Sequence, residues 1–144
     1  MSENEHGDAP APAAADYRFW TEEKLRNADT DQQGHVNNAN IATFFESGRI
    51  DILSAAAIAQ VRAVTSIVVV RMLTNFRKEW FFPGTVRVGT RVARVGRTSL
   101  TCEQPSHAAN GEVATAEATC VLIDKATRKP TPVPEALRAY LTGQ

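Results

Sequence analysis

Ala114, Ala116, Ala118, Cys120 and Leu122 alternate with Thr115, Glu117 and Thr119 along Val113–Ile123. Alternation at a period of two marks a strand with one buried face. A buried face begun by three alanines leaves space that its own side chains cannot fill. Something thick must lie against it, and an α-helix has the right girth. The chain offers one candidate: Ile41, Phe44, Phe45, Gly48, Ile52, Leu53 and Ala56 recur at steps of three and four, which predicts one apolar helical face. The expected helix starts near Asn37 or Asn38, runs to Ala57 or Ala59, and is the longest in the chain. Gly48 on its apolar face costs ~1 kcal/mol relative to alanine, a cost accepted where a neighbour packs very closely.

Strand patterns surround that helix. Tyr17–Arg26 reads as a first strand. Ser66–Trp80 reads as a long one, with Val68, Val70, Met72, Phe76 and Trp80 expected on one face. Phe82-Pro83-Gly84 signals a turn. Thr85–Arg94 alternates Val86, Val88 and Val92 against Arg87 and Arg91, and Thr98–Gln104 alternates Leu100 and Cys102 against Ser99, Thr101 and Glu103. His107–Glu112 carries Asn110-Gly111, a tight-turn dipeptide. Pro130, Pro132 and Pro134 predict an extended exit before a short terminal helix over Glu135–Leu141. One helix followed by antiparallel strands predicts an α+β domain, a curved antiparallel sheet wrapped around one long central helix. The Ser66–Trp80 strand is apolar on both faces in its first half, since Ile67, Val69 and Leu73 accompany Val68, Val70 and Met72. One face covers the helix, and the other needs a second subunit.

Composition narrows the class. With 144 residues, 43% hydrophobic and 22% charged, the chain has the profile of one globular domain over residues 17–144. Residues 1–16 are acidic and rich in alanine and proline, and are expected to form a disordered tail whose removal leaves folding and activity intact. That tail carries −4, so residues 17–144 carry +4. Between positions 71 and 97 seven Lys and Arg residues face a single acid, Glu79. Such a stretch suits either an anionic ligand or a solvated strand face. Aromatic residues do not interleave with it, which argues against nucleic acid. No apolar run approaches a membrane helix, and the N-terminus lacks a secretory pattern, so a cytoplasmic protein is expected. Cys102 and Cys120 have no metal-ligand spacing, so no metal is expected.

The chemistry-bearing residues concentrate in Asn27–Asn40, NADTDQQGHVNNAN, just before the long helix. A helix start offers unpaired N–H groups and a partial positive charge, suited to an oxygen that becomes negative in a transition state. Gly34 allows close backbone approach. Taken alone, Asp31 could equally be a turn or capping residue. Asp29 reads as structural, and Glu46 reads as a surface partner of Arg49 at i,i+3.

The run DTDQQGHVNNA resembles the active-site signature of the 4-hydroxybenzoyl-CoA thioesterase-like branch of hotdog-fold proteins. The resemblance continues through Phe44-Phe45-Glu46-Ser47-Gly48-Arg49, Val95-Gly96-Arg97-Thr98-Ser99 and Pro132-Val133-Pro134, spanning roughly residues 17–141. It implies a hotdog fold and hydrolysis of an acyl-CoA to free acid and CoA, without a cofactor. Asp31 would be the catalytic carboxylate, as nucleophile or general base. Gly34, His35 and Val36 would supply backbone N–H groups to the carbonyl oxygen, with Asn37 and Asn38 as further positioning residues. His35 is expected to matter through its backbone. Arg94, Arg97, Thr98 and Ser99 would hold CoA, and Ile41, Phe44, Phe45 and Trp80 would line the acyl pocket. Ile41 stands where the family often has tyrosine. The resemblance also implies a homodimer or homotetramer with active sites at subunit interfaces. Two other functions share the fold: an enoyl-CoA hydratase or dehydratase using Asp31 and His35, and a non-catalytic acyl-CoA-binding protein. A Cys102–His107 nucleophile pair is disfavoured by the inward strand position of Cys102.

Overall fold

The computed structural model of the protein describes residues 17–143, so the acidic tail expected over residues 1–16 lies outside the described residues. Five strands form one antiparallel sheet in the order β1-β3-β4-β5-β2. They are β1 (Phe19–Lys24), β2 (Thr65–Phe76), β3 (Thr85–Val95), β4 (Ser99–Ala108) and β5 (Gly111–Asp124). The helix α1 (Asn38–Leu53) lies on one face of the sheet, and the short helices α2 (Ala59–Val64) and α3 (Glu135–Thr142) sit beyond its C-terminal end. This is the expected hotdog arrangement.

The alanine row does what its pattern predicts. Ala114, Ala116 and Ala118 are buried on the helix side of β5, in line with Cys120 and Leu122. The buried face of α1 presents Ile41, Phe44, Phe45, Gly48 and Ile52. Gly48 is where helix and sheet come closest: a Cβ there would stand 2.8 Å from both Gln104 Nε2 and Thr90 Oγ1. The residue is glycine because any side chain would collide with that pair.

The helix ends earlier than its composition suggests. Ser54 caps it, and the chain passes through a 3₁₀ turn at Ala56–Ile58 into α2. The bend drops Ile58 into the core at 2% exposure. Burying that side chain outweighs the helical preference of Ala55–Ala57.

The expected face of β2 is also corrected. A bulge between Val69 and Arg71 shifts the register against β5, so the parity reverses mid-strand. Ile67 and Val69, then Met72, Thr74 and Phe76, stand opposite the inward row Leu122, Cys120, Ala118, Ala116 and Ala114. Val68 faces the other way. The strand ends at Phe76, and Trp80 is buried from the loop beyond it. At the sheet edge Val68, Val69, Val70, Leu73 and Phe76 remain exposed.

The strand expected to end at Gln104 instead continues to Ala108. Pro105 reads as a strand breaker in sequence. Here the β3–β4 pairing lapses between Val88↔Ser106 and Arg91↔Glu103, where Pro105 has no N–H to give. His107 therefore lies in a strand rather than a turn. Its ring packs against Trp20 while Cys102 is buried in the core, so the two do not form a nucleophile pair. The Cys102 thiol lies hydrogen-bonded to Cys120 and buried, and both effects raise its pKa, which keeps it protonated and inert.

Arg49 does not pair with Glu46. It turns inward, 7% exposed, and donates from Nη1 to Gln104 Oε1 at 3.0 Å. Gln104 Nε2 in turn donates to the Phe45 carbonyl at 2.8 Å and to Thr90 Oγ1 at 3.0 Å. This polar strut clamps α1 to β3 and β4 at the glycine contact.

Candidate active site

Residues 29–37 fold into a small hairpin that delivers the chain to the start of α1. Thr30 and Val36 form an isolated antiparallel bridge. Gly34 takes a φ of +84° at the tip, a conformation that glycine adopts without strain. Asp29 anchors the hairpin. Its carboxylate, 1% exposed as a residue, accepts from Arg26 N at 2.8 Å and from Arg26 Nη2 at 2.9 Å, and its backbone carbonyl accepts from Asn37 N. The Arg26 hydrogen bond holds the Asp29 carboxyl below the usual carboxylate range. A depressed folded-state value means that this stability is present above the unfolded value near ~4 and is lost as pH falls through the lower folded one. Urea unfolding of wild type and Asp29→Asn should show it: the wild-type advantage at pH 7 shrinks steadily below about pH 4.

Asp31 occupies the next turn. Its Oδ1 accepts from Gln33 N at 2.9 Å, and its Oδ2 lies 3.4 Å from His35 Nδ1. The His35 ring sits edge-on to Phe81 with centroids 6.2 Å apart. Its Nε2 lies 2.8 Å from Gln33 Oε1 and 4.0 Å from Glu79 Oε1. Facing the Gln33 amide oxygen, Nε2 is the donor of that hydrogen bond, and Nδ1 is the ring nitrogen turned toward the Asp31 carboxylate. His35 thus brings its imidazole, as well as its backbone, beside the Asp31 carboxylate. Gln33 and Glu79 were not identified from the sequence as site residues, although Glu79 stands out as the single acid in the basic stretch.

The helix start frames a cavity of about 210 Å³, lined by His35, Val36, Asn38, Ile41, Phe76 and Trp80, with Arg77, Lys78 and Glu79 at its rim. Of the expected acyl-pocket residues, Ile41 and Trp80 form its wall. Phe44 stands behind Trp80 with ring centroids 5.8 Å apart, and Phe45 is wholly buried in the core. Among the expected backbone donors, Gly34 N–H is taken by the Asp31 carbonyl and Val36 N–H by the Trp80 carbonyl. Asn37 caps the helix, its Oδ1 accepting from Ala39 N at 2.8 Å. The backbone N–H groups of His35 and Asn38 have no partner among the described residues, and both residues line the cavity. They are the donors available to a ligand oxygen.

Arg94, Arg97, Thr98 and Ser99 are not brought to this place within one chain. Ser99 pairs with Val121, which pairs with Val68 near the start of β2, whereas Asp31 lies at the end where β2 finishes. Among the described residues, no three His, Cys, Asp or Glu side chains gather as a metal site.

The sequence pattern of the thioesterase-like superfamily matches residues 25–141. The chain belongs to that superfamily. By that membership it is a thioesterase, and the hairpin at the start of α1 is its candidate active site. The PA2801 protein of Pseudomonas aeruginosa is similar in structure, with a TM-score of 0.76 and 28% identity over 84% of this chain and 95% of that one. A Thermus thermophilus thioesterase solved with coenzyme A and zinc has a TM-score of 0.78 and 27% identity, over 87% of this chain and 98% of that one. The DHNA-CoA thioesterase of Staphylococcus aureus has a TM-score of 0.71 and 26% identity, over 79% of each chain. No functionally curated protein matches. No helix among the described residues is long and apolar enough to cross a membrane.

Proposed function

We propose that the protein hydrolyses an acyl-CoA thioester with Asp31 as the catalytic carboxylate. The observation that carries this reading is the Asp31–His35 pair, 3.4 Å apart, set beside two unpaired backbone N–H groups at a helix start. The thioester carbonyl oxygen would lie against the Asn38 and His35 N–H groups, which stabilise it as it becomes an oxyanion. Asp31 does not itself form the cavity wall, so the geometry favours general-base action on water over direct attack. Water gives its proton to Asp31, its oxygen adds to the carbonyl carbon, and the C–S bond breaks to release CoA thiolate, which takes up the proton. The relative solved with coenzyme A supports CoA as the thiol.

Free CoA release from a panel of acyl-CoAs, measured for wild type and Asp31→Ala, tests the proposal. If no thioester is cleaved, or Asp31→Ala keeps full activity, the reading is lost. The same Asp31–His35 contact would also suit an enoyl-CoA hydratase, so enoyl-CoAs belong in the panel, and hydration without CoA release would favour that alternative.

The working unit in this reading is a homodimer. β2 is an edge strand of 12 residues with five exposed apolar side chains, a surface that soluble proteins cover. Antiparallel apposition of two β2 strands about their midpoint covers both. It also brings the Arg94–Ser99 end of one copy level with the Asp31 end of the other, where those residues could reach CoA. Leu73→Glu places like charges near the two-fold axis. Sedimentation velocity should then show a dimer for wild type and a shift toward monomer for the variant; a wild-type monomer at micromolar concentration would contradict the homodimer.

A further inference from the structure

A second cavity stands behind the one beside His35. It measures about 230 Å³, and Leu25, Pro83, Ala108 and Ala109 are among the residues that line it, together with Trp80. Trp80 is the one residue that the two linings share. It packs in a single core cluster with Val36 and Ile41 from the first cavity and Leu25 from the second. Its indole therefore stands between two spaces of similar size. The backbone on either side of it is held. The Trp80 carbonyl accepts from Val36 N at 2.8 Å, and Phe81 forms an isolated bridge with His35. Lys78 Nζ donates to the Asn110 carbonyl at 2.9 Å, and Asn110 Nδ2 donates to the Glu79 carbonyl at 3.2 Å. The indole Nε1–H, by contrast, is a buried donor without a hydrogen-bond partner among the described residues. A buried polar group left unpaired is a cost to the fold. The polar atom supplies nothing that an apolar side chain would lose, which leaves bulk as the property this position uses.

We propose that Trp80 is a specificity-determining residue: its indole closes the first cavity from behind and limits the substrate to a short acyl group. The inference rests on the reading that the acyl group enters the cavity beside His35, and adds the size of that group and the residue that sets it. A cavity of ~150 Å³ holds a benzene ring, so the 210 Å³ space beside His35 takes an acyl group of only slightly greater bulk. A longer chain meets the face of the partition. The space beyond the partition is bounded largely by Leu25, Pro83, Ala108 and Ala109, so a hydrocarbon tail admitted to it would leave water for an apolar surface. One side chain therefore separates a short-chain enzyme from a longer-chain one.

Straight-chain acyl-CoAs of rising length measure the limit. For wild type, kcat/KM should climb about fourfold for each methylene that the first cavity admits, then fall once the chain reaches the indole. Trp80→Leu should move the optimum to longer chains and raise the long-chain to short-chain ratio of kcat/KM by at least about tenfold. Ala109 is exposed and lines the second cavity from the turn between β4 and β5. Ala109→Trp alone should leave the wild-type profile unchanged, because the wild-type acyl group does not reach that space. Added to Trp80→Leu, it should return the optimum toward the wild-type length. That reversal separates entry into the second cavity from a general loosening of the core. Trp80→Phe, a milder change, should shift the optimum the same way by less. A wild type that cleaves long acyl-CoAs as well as short ones overturns the partition, whatever the variants do. So does an unshifted optimum in a folded Trp80→Leu or Trp80→Phe protein, or a shift that Ala109→Trp fails to reverse. In each of these cases, loss of CoA release in Asp31→Ala leaves the hydrolysis reading in place. Full activity in Asp31→Ala overturns that reading instead, whichever way the chain-length profile moves.

Discussion

Asparagine at position 31 should lower kcat by about 10²–10⁴-fold with little change in KM. The amide oxygen can still accept from Gln33 N, the contact that Asp31 Oδ1 makes at 2.9 Å, so the turn should keep its shape. In the proposed mechanism the lost property is the ability to take a proton from water while the thioester carbonyl is held at the helix start. The surface proposed to bind the thioester, made by Ile41, Trp80 and the His35 and Asn38 N–H groups, is untouched. Steady-state CoA release read against pre-steady-state binding separates the two. A variant whose KM rises while kcat holds would assign Asp31 to binding rather than chemistry.

Removal of the Gln104 side chain should be the most damaging change to stability among the substitutions considered. Gln104 is 1% exposed and joins Arg49, Thr90 and the Phe45 carbonyl in one strut. Gln104→Ala strands a buried guanidinium, a carbonyl and a hydroxyl, and opens a cavity under the helix. Leaving a buried charge without its partner costs about 3–5 kcal/mol. Gln104→Glu keeps a stronger acceptor for Arg49 but loses the two donated bonds, so its loss should be smaller. Urea midpoints at matched protein concentration give the comparison, since the proposed dimer would add to apparent stability. Equal midpoints for wild type and Gln104→Ala would show that the strut contributes nothing.

The parts of the fold that were legible in the sequence were those governed by neighbours in the chain. The period of Ile41–Ile52 and the alternation of Ala114–Leu122 each report a local geometry, and both elements formed where their patterns predict. The reversal of parity in β2 was not legible, because the bulge at Val69/Arg71 is set by pairing with β5, some 50 residues away. The continuation of β4 past Gln104 was not legible for a related reason: the missing N–H of Pro105 is accommodated by a gap in the β3–β4 ladder, a tertiary arrangement. At the site, the hairpin segment and its glycine were readable from residue types. The side-chain meeting of His35 with Asp31 depends on the turn between them, and Glu79 arrives from a loop more than 40 residues later. Arg49 read as a surface cation because an (i, i+3) acid was at hand, yet its destination was fixed by Gln104 on another strand.

Trp80 gives the cavity an optical reporter. The chain has two tryptophans. Trp20 packs in the sheet between Arg87 and His107, remote from the reacting atoms, and supplies a constant background. Trp80 is 3% exposed, and its Nε1–H is a buried donor without a hydrogen-bond partner among the described residues. An indole so shielded emits at short wavelength. An acyl group entering the space that Trp80 walls would change the polarity and quenching around that ring, so occupancy can be followed by intrinsic fluorescence. In a Trp20→Phe protein the whole signal would arise from the pocket, and substrate entry could be timed separately from cleavage without attaching a dye.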